Sequence, residues 1–497
     1  MYLPNIMLLV LDTTRAKNLS CYGYPKDTSP NLDKIADEGI LFTNAISNSS
    51  WTLPSHASLF TATYPSFHSV NNWTDSLSED FVTMAQFFSS LGYQTVAINN
   101  NSWINEQFGL DRGFEVFKKI WLLFQTSNDL NITSRSIKHL KPLRKFIEVS
   151  KSIFKGNAVL NILNGVYGQF LYNSHDLGGK RIIKTFENWI HHERNKEKPF
   201  LLFINLLEPH LPYNPPQKFL ARFLSDKITK KQIKSLNLDP LPYIAGTEEK
   251  AEIDFEILTA LYDADINYLD SLIGSIYEVL AGTNLLEETI LVIVADHGEN
   301  LGEHGLMSHF YCLYDTLIHI PFIVRFPAEL PKATKIAEIV QPSDIFPTLA
   351  ALVGLENHLP VEQLEGRNVL DSNQVNDHRI AVSELLGVNP PLEVVAKKTG
   401  IPENELSKFD KKIVALRDKQ YKYIQDSLGN EELYDVELDP HETRNIISAR
   451  PDVHARFKQF KKSWDSRNVH IDEKRKLSRD SKLEVAVLKR LEALGYL

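Results

Sequence analysis

The chain has 497 residues, of which 43% are hydrophobic and 24% charged, with a formal net charge of −9. These values suit a soluble globular protein with one large catalytic domain and a smaller one, at roughly 100–200 residues per domain. The negative balance argues against non-specific nucleic-acid binding, which needs a basic face, and the two cysteines, Cys21 and Cys312, indicate no disulfide framework.

The first element is the apolar run Ile6-Met7-Leu8-Leu9-Val10-Leu11, which ends in Asp12-Thr13-Thr14-Arg15. No basic segment precedes it and no small-residue cleavage site follows, so it reads as a buried strand rather than a secretion signal. Further strands are predicted at 94–98, 200–206, 289–295 and 321–326. Helices are predicted at 30–38, 55–63, 75–91, 253–281 and 343–353, the last with Ser343 as its N-cap. Continuous apolar strands alternating with helices predict a mostly parallel α/β sheet sandwiched by helices. Residues 118–183 lack strand signals and predict a helical insertion in a catalytic domain spanning 1–370. Short strands separated by Asp-Lys and Gly-Asn turns then predict a small C-terminal α+β domain over 378–497, with an antiparallel sheet and terminal helices near 451–467 and 482–494. No apolar stretch approaches the roughly 20 residues that span a bilayer, so the expected protein is cytoplasmic, with no membrane span and no signal for an oligomeric state.

In doubly wound sheets, ligands bind beyond the carboxyl ends of the strands. Asp12 follows the first strand, Asp296 and His297 follow 289–295, and His210 follows 200–206. Thr52 lies at the mouth of a helix, in Trp51-Thr52-Leu53-Pro54-Ser55-His56. Each has a plain structural reading: Asp12 as a cap, His210 as a loop residue, Thr52 as the cap of the helix at Ser55. Together they offer two carboxylates, one imidazole and a helix N-terminus, which suits a divalent cation and an anionic ester. The cation would take Asp12, Asp296 and His297, with an open position toward Thr52, whose hydroxyl would become a usable nucleophile.

Over nearly its full length the chain resembles the sulfatases of the alkaline-phosphatase-like superfamily. The resemblance rests on Asn5–Asp12 with Cys21-Tyr22-Gly23-Tyr24, on Thr52-Leu53-Pro54-Ser55-His56-Ala57-Ser58-Leu59-Phe60-Thr61, and on Phe108-Gly109-Leu110-Asp111-Arg112-Gly113-Phe114. It continues through Tyr262-Asp263-Ala264-Asp265, Asp296-His297-Gly298-Glu299, Asp344-Ile345-Phe346-Pro347-Thr348-Leu349 and Glu432-Leu433-Tyr434-Asp435. It implies Asp12, Asp296, His297 and Thr52 as metal contacts, Thr52 as nucleophile, and His210 as the acid that protonates the leaving group. It also implies that His309 stands where many members place a substrate-binding lysine, and that His56, Asn72 and Asn100 lie near the anion. The implied substrate is a small-molecule or glycan-type anionic ester.

Three positions depart from the family pattern. Thr52 stands where sulfatases convert a Cys or Ser into formylglycine, His56 replaces the arginine of that maturation signature, and His309 replaces the lysine. The extra methyl on its β-carbon keeps Thr52 from becoming the aldehyde, so the chemistry leans toward phosphate esters and a phospho-threonine intermediate, as in phosphodiesterases or phosphotransferases of the superfamily. The family label leans toward sulfuric esters, and a catalytically inactive binding protein is the third reading. The family ion is calcium, while the imidazole of His297 favours manganese or zinc.

Overall fold

The computed structural model describes residues 3–123, 160, 163–164, 176–371 and 379–479. Most of the insertion expected at 118–183, and the helix expected at 482–494, lie outside the described residues. The strands in chain order are β1 (Asn5–Leu11), β2 (Ile40–Ile46), β3 (Gln94–Asn99), β4 (Val116–Lys119), β5 (Phe200–Leu206), β6 (Thr289–Ala295), β7 (Asn300–Leu301), β8 (Met307–Ser308), β9 (His319–Ile320), β10 (Phe322–Arg325), β11 (Thr334–Val340), β12 (Ala381–Leu385), β13 (Ile413–Arg417), β14 (Tyr421–Asp426) and β15 (Glu431–Asp435).

The large sheet runs β11-β2-β10-β6-β1-β5-β3-β4, with β9 paired to β2. All pairs from β6 to β4 are parallel, and β10 is antiparallel to both its neighbours. At the centre, all seven residues of β1, β5 and β6 are buried. That is why each reads as an unbroken apolar run: helices cover both faces. The long helix Glu252–Gly282 packs against α1 (Pro30–Asp37) and against the helices Gly179–Asn188 and Gln217–Phe223. None of the described helices is long and apolar enough to cross a membrane.

Several local expectations are corrected. The helix predicted at 55–63 begins at Thr52, as α2 (Thr52–Thr61), and stops where Ala62 turns to φ 56°. The helix predicted at 75–91 forms only over Met84–Ser90, because Thr83 and Gln86 close a reciprocal capping box that fixes its start. Ser343 is not an N-cap. It sits inside the 3-10 turn Pro342–Asp344 that leads into the helix Ile345–Leu352, its hydroxyl accepting from Asn48 Nδ2, while the Asp344 carboxylate takes the Gln341 amide.

The second sheet, β12-β13-β14-β15, is antiparallel throughout. The helix Pro451–Arg479 covers one face, burying Val453, Phe457 and Trp464 against Tyr423 and Leu433. Lys422 on β14 is buried and pairs with Asp315 at 2.9 Å and Glu442 at 2.7 Å; Arg417 reaches the same Asp315 at 3.1 Å. This buried charge cluster ties the small sheet to the segment that follows the β7–β8 hairpin. Burial raises the Asp315 carboxyl, but Arg417 and Lys422 outweigh it and hold it below the usual carboxylate range. Replacing Lys422 by Met keeps the bulk, strands the buried Glu442 carboxylate and leaves Asp315 with Arg417 alone. Denaturant unfolding is expected to show a loss of about 3–5 kcal/mol; a change under about 1 kcal/mol would mean the cluster is not a structural tie.

Candidate active site

Leu11 at the end of β1 is in register with Leu206 on β5 and with Ala295 on β6. The residue after each strand therefore emerges at the same edge, and two of these residues are Asp12 and Asp296. Register alone thus brings two carboxylates together from positions 284 residues apart in sequence. Both are buried. Asp12 is anchored by its amide to the Leu206 carbonyl at 2.9 Å. Asp296 Oδ1 accepts from the amides of His297 at 2.8 Å and Thr13 at 3.3 Å. Thr13 takes a left-handed φ of 51°, a strained conformation for a β-branched residue. Tyr262 holds it there by donating to the Thr13 carbonyl at 2.6 Å.

His297 Nδ1 donates to the Gly298 carbonyl at 2.9 Å, which turns Nε2 toward the two carboxylates. Gly298 is required at this bend, since a Cβ there would lie 2.1 Å from the Thr316 carbonyl oxygen. Ligand atoms of Asp12, Asp296 and His297 all lie within 4.8 Å of one another. Thr52, the first residue of α2, brings its Oγ1 to 3.5 Å from His297 Nε2. The loop before α2 is fixed from below by Ser47, whose hydroxyl donates to the Asp296 carbonyl at 2.5 Å.

Burial, then the facing Asp296, push the Asp12 carboxyl well above its ordinary value, and burial raises Asp296 as well. Burial, then the neighbouring His309, bring His297 down to about 3, so its imidazole is neutral. Asp12 Oδ1 and Asp296 Oδ2 are buried and have no hydrogen-bond partner among the described residues. Orphaned carboxylate oxygens facing a neutral imidazole nitrogen are costly on their own and fit a divalent cation as the missing partner.

The other expected residues divide into those near the cluster and those away from it. His210 anchors its Nδ1 on the Leu211 carbonyl at 2.6 Å, and its ring lies 5.2 Å from that of His309. Burial, then His309, bring His210 down to about 4. The His309 ring lies 4.6 Å from that of His297, and its Nδ1 is 3.2 Å from Glu299 Oε1. His56 lies completely buried behind Thr52, its Nδ1 donating to the Thr52 carbonyl at 2.9 Å and lying 3.6 Å from Asp296 Oδ2. It braces the first turn of α2 behind Thr52. Asn100 is buried and donates to the Leu177 carbonyl at 3.0 Å. Asn72 is exposed, and its hydrogen bonds run to Asp75 rather than to the cluster.

Two residues that sequence reasoning missed sit at the centre. Asn101 Nδ2 donates to Asp12 Oδ2 at 2.5 Å and lies 3.4 Å from Thr52 Oγ1, so it joins the carboxylate to the Thr52 hydroxyl. Its signal was present: it ends the run Asn99-Asn100-Asn101 leaving β3, which borders β5. Glu299 is fully buried and partners His309; it stands in the Asp-His-Gly-Glu motif, whose last residue had been given no role.

The family model described as Sulfatase matches residues 4–355. A relative named uncharacterized sulfatase YidJ, from Escherichia coli (strain K12), is 26% identical over 474 residues, covering 89% of this chain and 83% of its own. Iduronate 2-sulfatase from Homo sapiens is 24% identical over 430 residues, with 75% of this chain and 74% of that one covered. Among solved structures, the phosphonate monoester hydrolase of Agrobacterium radiobacter superposes with a TM-score of 0.68 at 18% identity, covering 94% of this chain and 96% of that chain. A family model spanning most of the sequence, over a sheet that delivers a buried two-carboxylate, one-imidazole group to its carboxyl edge, makes this chain a member of the sulfatase family and an ester hydrolase.

Proposed function

We propose that this chain hydrolyses phosphoric esters at a single divalent cation, with Thr52 as the attacking nucleophile. The observation that carries the reading is a threonine hydroxyl 3.5 Å from His297 Nε2, at the place where the family keeps its catalytic side chain. A sulfatase aldehyde releases sulfate by collapse of its hydrate, with no attack of water on sulfur. Threonine has no such exit. A threonine ester of phosphate can be resolved instead by water attacking phosphorus.

Asp12, Asp296 and His297 would hold the cation, and their mixed oxygen and nitrogen set favours manganese or zinc over the calcium usual in the family. When bound, the cation would draw charge from the Thr52 hydroxyl and from the ester oxygens. Thr52 would give its hydroxyl proton to solvent before attack and take one back when phospho-Thr52 is cleaved; Asn101, donating toward Oγ1, favours the alkoxide and orients it, and His56 steadies the Thr52 carbonyl from behind. His210, fixed through Nδ1, presents Nε2 to the leaving oxygen and donates a proton as the ester bond breaks. Burial disfavours its charged form, and an anionic ester in the same pocket supplies the countercharge that restores it. His309, held by Glu299, faces the anion. The same His210 nitrogen then accepts the proton of the water that resolves phospho-Thr52; an acceptor alcohol in place of water would give phosphotransfer. Turnover of sulfuric esters is the second reading, favoured by the family model and by the named sulfatase relatives.

A turnover panel of 4-nitrophenyl phosphate, bis(4-nitrophenyl) phosphate and 4-nitrophenyl sulfate, each with added Mn, Zn or Ca, separates the readings. Phosphate esters are expected to turn over ahead of the sulfate. Thr52→Ala should lose at least about a thousandfold in kcat, with Thr52→Ser retaining part of it. Sulfate turnover alone, or full activity in Thr52→Ala, would sink the proposal.

Metal binding is tested separately by elemental analysis and thermal unfolding. One divalent ion per chain is expected, and chelation should lower the wild-type midpoint while leaving Asp296→Ala unmoved. In metal-free protein, Asp12→Asn should raise the midpoint, because it removes one of two facing buried carboxylates. No shift on chelation would remove the cation from the account.

A further inference from the structure

Beside the active site lies a buried carboxylate that no step of the reaction uses. Glu208 stands two residues before His210, in the loop that leaves β5, and is 2% exposed. Its Oε1 accepts from the Gly179 amide at 3.2 Å, at the start of the helix Gly179–Asn188. Its Oε2 is buried and has no hydrogen-bond partner among the described residues. Burial pushes the carboxyl up to about 7; its own amide and those of Gly179 and Leu177 pull the other way, and Asp176 adds to the rise. An apolar side chain would fill the same space without that cost. Packing alone does not account for Glu208.

The segment it grips is itself fixed from two other sides. Asp176 Oδ1 accepts from the Gly178 amide at 2.9 Å, and its Oδ2 accepts from the Tyr268 hydroxyl at 2.9 Å, on the long helix Glu252–Gly282. The Leu177 carbonyl accepts from Asn100 Nδ2 at 3.0 Å, one residue before Asn101. Gly179 leaves no room for a side chain, since a Cβ would lie 2.7 Å from Glu208 Oε1 and 2.3 Å from Leu272 Cδ1. Farther along the loop, the Asn214 amide donates to the buried Asp265 at 3.1 Å. Between these two anchor points, the hydrogen bonds of His210 among the described residues stay inside the loop: its amide meets the Leu207 carbonyl at 3.0 Å and its Nδ1 the Leu211 carbonyl at 2.6 Å. The imidazole therefore goes where the loop goes.

We propose that Glu208 is a positioning residue for His210, and that its grip on Gly179 sets where His210 Nε2 meets the leaving oxygen of the ester. The inference rests on the reading of His210 as the acid given above. Glu208 acts through the loop and touches no reacting atom. General acids contribute about a hundredfold to ten-thousandfold, and a misplacement of about 1 Å can cost about a hundredfold. That loss falls on esters whose leaving oxygen needs a proton, and it spares esters whose leaving group departs as a stable anion. A general loosening of the structure would make no such distinction.

The test compares phenyl phosphate with 4-nitrophenyl phosphate, whose leaving groups share a ring and differ in their need for a proton. His210→Ala should lose more on phenyl phosphate than on 4-nitrophenyl phosphate. Glu208→Ala should show the same bias, with kcat on phenyl phosphate at least about tenfold down and that on 4-nitrophenyl phosphate within about threefold. Glu208→Gln should keep most of the phenyl phosphate rate, because its carboxamide oxygen can still accept the Gly179 amide. The double variant Glu208→Ala/His210→Ala should be no slower than His210→Ala alone. If Glu208→Ala does not fold, Glu208→Asp, one methylene shorter, is expected to show the same bias. Equal losses on the two esters, or no loss, overturn the proposal and leave the acid reading intact. If neither ester turns over, or if His210→Ala lacks the bias, the acid reading fails instead. Glu208 is then judged by the imidazole NMR resonances of His210, identified by their disappearance in His210→Ala. Resonances that move in Glu208→Ala and hold in Glu208→Gln support the positioning role, and resonances that do not move in Glu208→Ala refute it.

Discussion

Two carboxylates that the sheet forces together govern the rest of this site. Asp12 and Asp296 leave adjacent parallel strands at the same level, both buried, with one oxygen each lacking a partner among the described residues. Burying an ionised carboxylate without compensation is among the most expensive arrangements a protein can hold. The neighbourhood is organised around it: Thr13 accepts a strained backbone, Asn101 donates to one carboxylate, and two amides donate to the other. Arg15 adds a buried anchor nearby, paired with Glu303 at 2.6 Å and joining the chain after β1 to the segment after β6. A divalent cation would be the partner that this polarity calls for; beside it, Thr52 Oγ1 lies 3.5 Å from His297 Nε2, and the rings of His309 and then His210 follow outward from the same imidazole.

The central sheet was legible because its middle strands are covered on both sides. An unbroken apolar run such as Thr289–Ala295 has few other uses, and the residue after it is then a candidate ligand by position alone. The edge of the sheet was not legible. In β11 exposed Lys335 and half-buried Glu338 interrupt the apolar pattern, and in β2 the pair Thr43-Asn44 breaks the run, since both strands lie away from the centre. Boundaries that depend on side-chain caps were also lost: the Thr83–Gln86 box shortens one predicted helix, and Ser343 serves a neighbouring loop instead of a helix end.

Within the site, Asp12, Asp296, His297 and Thr52 stand out in the sequence by their places after a strand or before a helix, whereas Asn101 and Glu299, which hold their neighbours in place, do not. Asn101 is one of three successive asparagines, and only the turn after β3 decides which of them reaches Asp12. His56, expected near the substrate, points inward because a residue four positions along a helix lies on the same side as the first, and its Nδ1 meets the Thr52 carbonyl. In the position of the maturation arginine, this chain thus keeps an imidazole that braces Thr52. That fits a nucleophile used as encoded, without conversion to an aldehyde.

Attack by Thr52 as encoded would leave a covalent species that no formylglycine enzyme would form. Rapid quenching of the wild-type protein during turnover of a phosphate ester, followed by peptide mass spectrometry, reads it directly. A phosphoryl group on the peptide containing Thr52, appearing within one turnover and decaying as product forms, is the predicted result. Steady turnover of the phosphate ester with that peptide unmodified at every time point would contradict it.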